Sequence, residues 1–564
     1  MSMMQRIALF VLLVACVGVG RSQNTNLPTE RELVTEYWDR GETMIRAQGF
    51  YRTDGFSDVG KKEGLWKFYD RKGKLVNEIE FVRGYKHGRA TSYYANGNKE
   101  HEGYYYWDLE DSLLQTWSET GTLLEKGMFK RGIRTGEWKY FHSDGSLHIT
   151  EVFKDSVRYL MDYRLEDGTT QIKDGAGEYI TYFDNENVRE TVPYKNGLRN
   201  GSYKEYSYGG KELTTGAYKN GLLHGEWKFY LPNGALMKLA NYSNGKLDGP
   251  FEQYFENGQV QVKGTYDQGK KEGQWDWFAR DGGKDILGHF KDDMRTGEWK
   301  QWHLNGNLHS KGSFERDKRT GDWKFYYEDG SLWKEGPYAE DFKEGLWTTY
   351  FESGQKLQEG KYARDLSQGL WQSWYENGQM KDEGTFEKGL MEGLWRGWFP
   401  DGVLAYEGNR KEDMRSGKWA FYFPNGKLKE EGSYVIIEKE DALGEVYTYM
   451  AGRTYKKSVR DGHWIEYSDK DFYKTSEGDY KKGEKHGKWI FYHPGGLIPG
   501  VEAMYKNGER NGLTTQYTRR GKKISEMQFK NDLPNGTMTV FDKRGRPDKT
   551  IEYGNGIRVG SDTK

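Results

Sequence analysis

Cysteine is almost missing from this chain. Cys16 is the only one in 564 residues, so disulfide staples and cysteine-built metal sites are excluded. Net charge is almost missing too, with 85 Lys and Arg against 86 Asp and Glu. No overall basic excess is there to track a phosphate backbone, which argues against nucleic acid as a partner. The apolar share is 35%, below the roughly 45–50% of ordinary soluble domains. No H-E-x-x-H, G-x-S-x-G, Walker loop or EF-hand loop occurs. The eleven His are scattered, mostly in turns such as His87, His224 and His486, and no carboxylate pair is singled out by spacing. These absences point to a non-enzymatic chain with no metal or other cofactor.

Aromatic residues are abundant, at 16%, and so is glycine, and both recur with a period. From Gly177 to Gly417 a glycine opens a new unit every 24 residues. Earlier openers are Gly64, Gly88, Ser112 and Gly136, and later ones Gly462, Gly487, Gly512 and Gly536, for nineteen copies. A period of this size signals a repeat array and outranks any local motif.

With the opener as position 0, position 2 is Trp in twelve copies and position 5 is aromatic in all nineteen. A turn ending in Gly at position 9 separates them from a second segment. The segments WKFY, WQSWY and WAFYF are short, aromatic and bounded by Asn-Gly or Asp-Gly, which signals hairpins. Glycine at positions 0, 9 and often 15 would break a helix three times per unit. The reading is an all-β chain: an elongated single-layer antiparallel meander of about 38 strands from nineteen hairpins.

Positions 2 and 5 differ by an odd number and so face opposite sides of the sheet. Closing each hairpin at positions 0 and 17 sets position 2 opposite position 15. Trp299, Trp323, Trp347 and Trp371 are then expected to cover Gly312, Gly336, Gly360 and Gly384 of their own units, as rings that restore burial over a bare strand. That assigns the tryptophans to structure. It leaves the position-5 rings Trp302, Tyr326, Tyr350, Trp374 and Trp398 as the candidate partner-binding surface.

Arg6 and the apolar run Ile7–Gly20 fit a secretory signal peptide over 1–22. The run is too short for the ~20 residues that cross a bilayer. Leu13-Val14-Ala15-Cys16 resembles a bacterial lipobox, which would place a lipid on Cys16 as the chain's one membrane contact. Residues 23–49 fall outside the period. Thr29 to Glu32 reads as a capping box, with Leu33, Tyr37 and Trp38 at helical spacing, so a short helix or tether capping the array is expected. The array covers 50–564. Its period breaks near 154–175 and 435–460, read as loops inserted in the scaffold. The second holds Tyr447 and Tyr449, a candidate strand and a candidate recognition loop.

The unit Gly225–Gly249, GEWKFYLPNGALMKLANYSNGKLDG, resembles the MORN repeat and more closely its bacterial variant, through G-x-W, Asn-Gly turns and Y-x-N-G-x-x-x-G. The resemblance covers about residues 50–564. It implies an elongated single-layer sheet that scaffolds or binds without catalytic residues of its own. Some relatives carry an antitoxin label, which fits poorly with an export leader. Tyr69-Asp70-Arg71-Lys72-Gly73 also looks like a YD repeat, though most copies lack the Tyr-Asp. The resulting expectation is an exported protein-binding scaffold at the cell envelope, in the periplasm, on the cell surface or as an outer-membrane lipoprotein. A glycan-binding module using the aromatic rows is the alternative.

Overall fold

The computed structural model describes residues 30–53, 58–440 and 454–563. Strands joined by tight turns make up the described residues, and no helix occurs among them. Hydrogen bonding joins the strands in one open antiparallel sheet of 45 strands. The 38 strands of the nineteen hairpins are all there. The other seven come from an N-terminal hairpin, two strands in the first period break, one strand at the C-terminal side, and the splitting of two strands at Leu198–Arg199 and Phe342–Lys343.

Two expectations fail. Residues 23–49 hold no helix where the structure describes them: Arg31–Tyr37 and Ile45–Arg52 are strands paired with each other, Val34 opposite Gly49. Val34 and Thr35 are β-branched and suit a strand. The 154–175 segment is not a loop. Val157–Arg164 and Thr170–Lys173 are strands that continue the ladder as a shortened hairpin. The second break instead lengthens one hairpin. Leu428–Glu440 and Thr454–Tyr467 stay paired as far as Glu440 and Thr454. Tyr447 and Tyr449 lie outside the described residues, as does Cys16.

The chain divides into two compact units, Met1–Gly234 with Tyr242–Gly245, and Ala235–Asn241 with Lys246–Lys564. In the first, Val192, Tyr203 and Trp227 form a buried cluster, and Trp66 and Trp138 are fully buried. In the second, Phe314, Trp323, Tyr338 and Trp347 form the corresponding cluster. The core of each unit is a row of rings along one face of the sheet.

The backbone register sets position 2 opposite position 15: Trp299 opposite Gly312, Trp323 opposite Gly336, Trp347 opposite Gly360 and Trp371 opposite Gly384. The rings, however, lean the other way. Trp323 lies on Gly312, Trp347 on Gly336, Trp371 on Gly360 and Trp395 on Gly384, each a glycine of the preceding unit, and Trp299 lies on Gly288. A Cβ on any of these glycines would fall inside the indole. All twelve position-2 tryptophans follow this rule, from Trp66 on Gly49 to Trp489 on Gly478.

The reason is a bulge. Lys311 pairs with Lys324 and Ser313 with Thr320, so Gly312 alone faces Gly321, Asp322 and Trp323. Gly321 has φ +64°, which glycine adopts without the Cβ penalty. The widened strand swings the indole onto the preceding strand. There Trp323 Nε1 donates to Ser313 O at 3.1 Å, which satisfies the one polar group of a buried Trp. The bond recurs in the other units, as at Trp347 to Pro337 O, 2.9 Å, and Trp419 to Asn409 O, 2.8 Å.

This seat predicts a specific coupling. Trp323→Ala should cost about 3 kcal/mol or more, as for a large buried ring, and Lys324→Ala little. Gly312→Ala should be severely destabilising in the wild type and close to neutral beside Trp323→Ala. Gly336→Ala should keep its full penalty in that background. Urea midpoints of the four-corner cycle test this; relief of Gly336→Ala instead of Gly312→Ala would reverse the assignment.

Whole-unit deletions give a second test, because each unit contacts its neighbours. Deleting 321–344 brings Trp347 onto Gly312, a good seat, so a shorter folded sheet should result. Deleting 249–272 brings Trp275 against Ala240, whose Cβ blocks the seat, and should lower the thermal midpoint much further. Equal behaviour of the two deletions would remove the seat from the explanation.

Candidate functional site

The two faces of the sheet differ in how their groups are used. On the tryptophan face, position-17 rings stand edge-on between the indoles. Phe314 meets Trp323 at 5.2 Å and 89°, and Tyr338 meets Trp347 at 5.0 Å and 81°. Such edge-to-face pairs contribute beyond their buried area. Position-22 cations lie over this row: Arg295 over Phe314 at 4.2 Å, Arg319 over Tyr338 at 4.0 Å, Lys343 over Tyr362 at 4.6 Å. The arginines are fixed in turn by the next unit, Arg295 to Asp317 at 3.1 Å and Arg319 to Asp341 at 3.0 Å. This face is roofed by its own charged side chains.

Sequence reasoning missed these lids. Their signal is present as an Arg with an Asp 22 residues later, seen again at Arg510 and Asp532.

The opposite face carries position 5. Lys324 neighbours Trp323 on its strand, so it points to the other side, and there it reaches Glu335 at 2.7 Å. The Tyr350 hydroxyl donates to the same carboxylate at 3.0 Å. That contact places Tyr350 on the face away from the indole row. The Lys324 ammonium holds the Glu335 carboxyl below its ordinary value, against the burial that would raise it, and the Tyr350 hydroxyl adds to the lowering. In the first unit Tyr93 is pushed up to about 12, by burial and then by the Glu78 carboxylate that accepts its proton. Lys–Glu–Tyr contacts of this kind fix the charged groups of the face in place.

Trp302, Tyr326, Tyr350, Trp374 and Trp398 are all half-buried, so each ring shows part of its surface. Lys284 lies 5.5 Å over Trp302 and Lys356 5.5 Å over Trp374. The position-5 backbone is tied down by side chains of the preceding turn, as in Tyr327 Oη to Tyr350 O and Tyr375 Oη to Trp398 O, 2.8 and 2.9 Å. The indole N–H groups of Trp302, Trp374 and Trp398 have no acceptor among the described residues, unlike those of the twelve seated tryptophans. Beside the row, Leu346, Leu370 and Leu394 at position 1 of three consecutive units are exposed by 45–54%, a second apolar column the sequence reading did not single out.

No group of three or more His, Cys, Asp or Glu that could hold a metal occurs among the described residues. His142 and His148 pack with centroids 4.2 Å apart, and both rings reach the Arg164 carbonyl, at 3.1 and 2.8 Å. They serve a turn.

Solved structures of TcdB2–TccC3, with and without Cdc42, match over 92% and 93% of this chain and 30% of theirs, at 11% identity and TM-score 0.12. A Photorhabdus luminescens Tc holotoxin pore matches over 94% of this chain and 29% of that one, at 11% and 0.12. This chain thus spans about 30% of the length of those proteins, and a TM-score that low carries no argument. Among curated proteins none matches the sequence. The signature of the MORN repeat variant matches twelve times, at 62–83, 86–108, 134–155, 177–196, 223–244, 247–268, 295–316, 319–340, 343–363, 367–388, 391–412 and 415–435. These segments run from the second strand-turn of one hairpin to the next, and each holds the opener, the position-2 residue and the turn described above. The chain belongs to the MORN repeat variant family.

Proposed function

We propose that this chain is a non-enzymatic scaffold that binds a protein partner through the position-5 face, and that it does so outside the cytoplasm, at the cell envelope. The observation that carries the reading is the row Trp302, Tyr326, Tyr350, Trp374 and Trp398. It repeats once per hairpin with part of every ring exposed, on a face whose backbone is held rigid. Exposed aromatic anchors on a rigid frame dominate protein interfaces, and an unpaired indole N–H offers a donor to a partner's carbonyl. The Leu346, Leu370 and Leu394 column widens the apolar area beyond single scattered residues, as interaction sites do. The envelope location rests on the leader-like run Ile7–Gly20.

The test is capture from envelope extract on the full chain, beside Trp374→Ala/Trp398→Ala, with a glycan array run in parallel. A protein retained by the wild type should be lost by the double variant, at about 2 kcal/mol or more per anchor. Lys228→Ala, far from the row, should retain it. Capture unchanged by the double variant sinks the assignment of this face. Array binding that the double variant abolishes would move the row to glycans.

A further inference from the structure

The Lys and Arg side chains of this chain are mostly answered by carboxylates, but two neighbouring hairpin turns break the pattern. The turn after Tyr517 carries Arg519, Arg520 and Lys522, with no acid between Thr518 and Lys522. The next hairpin's turn carries Lys543, Arg544 and Arg546, with Asp542 as its one acid. All six cations are exposed. Arg546 is paired with Asp542 at 3.1 Å. Arg519, Arg520, Lys543 and Arg544 have no carboxylate within ion-pair distance among the described residues. By contrast, Lys228, Lys300 and Lys324 reach Glu226, Glu298 and Glu335 at 2.7–2.8 Å.

The two turns lie side by side on one edge of the sheet. Lys522 Nζ donates to Lys543 O at 3.3 Å, and the hairpins are two strands apart, roughly 10 Å. The turns are stiff. Thr518 Oγ1 accepts from Lys522 N at 3.1 Å, and Asp542 Oδ1 accepts from Arg546 N at 2.9 Å. The cations are therefore presented from a fixed base, in a line along the edge, in a chain whose net charge is only −1.

From this geometry we infer that the edge formed by the 518–522 and 542–546 turns is an anion-binding surface, and that its ligand is a linear polymer carrying phosphate at close intervals. Guanidinium groups grip phosphate oxygens in pairs. A row of them across successive turns matches a chain of charges better than a single anion, and a polymer gains by releasing its condensed counterions. The surface is separate from the position-5 face, so the inference does not rest on the protein-binding reading.

Long-chain inorganic polyphosphate, fluorescently end-labelled, is the probe, read by anisotropy against the full chain. Binding should weaken steeply with added salt. R519Q/R520Q/R544Q should lose about tenfold or more in affinity and flatten the salt dependence by roughly one in slope per phosphate contact removed. K228Q/K300Q/K324Q removes as many positive charges from paired sites and should leave both quantities unchanged. Matching thermal midpoints of the two variants confirm that exposed turn positions, not folding, are being read. No binding of polyphosphate, or equal loss in both triple variants, overturns the proposal. So does binding to phosphatidylglycerol vesicles with none to polyphosphate, which would assign the edge, with exposed Leu497 on the adjacent turn, to a bilayer.

Discussion

An indole ring resting on the bare backbone of a glycine is the contact on which the rest of the sheet depends. A single-layer sheet has no second layer to bury its side chains, so burial must come from within the row. Each seated Trp removes a large apolar surface from water. It also spends its N–H on the carbonyl next to its glycine, and so leaves no buried donor unsatisfied. Glycine, normally a weak strand residue, becomes obligatory because any side chain would occupy the ring's place. Once the indole is seated, the edge-on ring at position 17 and the cation at position 22 have something to pack on.

This division of labour separates the two faces chemically. The indole face is closed by Arg and Lys lids held by the next unit's Asp, so its rings are committed to stability. The other face uses Lys–Glu–Tyr contacts to fix its charged groups, and leaves the position-5 rings half-open. A binding face can thus vary from unit to unit without touching what holds the sheet together. Leu at position 1 of three units, where others have Glu298, Asp322 or Lys418, is a variation of that kind.

Strands, turns and the backbone register were legible because they follow from local chemistry: Gly and Asn-Gly where φ is positive, and aromatic residues at fixed distance from them. The direction of the ring was not, because between Gly273 and Gly432 every Trp has a glycine available on both sides. The discriminating units lie outside that stretch. Trp66, Trp138 and Trp489 have Ile79, Glu151 and Ala503 opposite them in their own units, and Gly49, Gly127 and Gly478 in the unit before. The N-terminal strands were hidden by an accidental helical spacing of Leu33, Tyr37 and Trp38. The inserted hairpin lacks both the opener and the Trp by which the other units announce themselves. The lids escaped notice because their partners sit across a unit boundary.

The backward-pointing ring also gives the sheet a direction in time. In ten of the twelve pairs the glycine precedes its tryptophan by eleven residues, so a chain emerging from the ribosome amino end first has always completed the seat before the ring arrives. Each closure spans a loop that searches in tens of nanoseconds, while synthesis adds about 5–20 residues per second. Growth by one hairpin at a time onto a finished edge leaves little apolar surface waiting. The exception is Trp464, which must find Gly432 across 32 residues. The lengthened hairpin between them is the place where the nascent sheet has to pause.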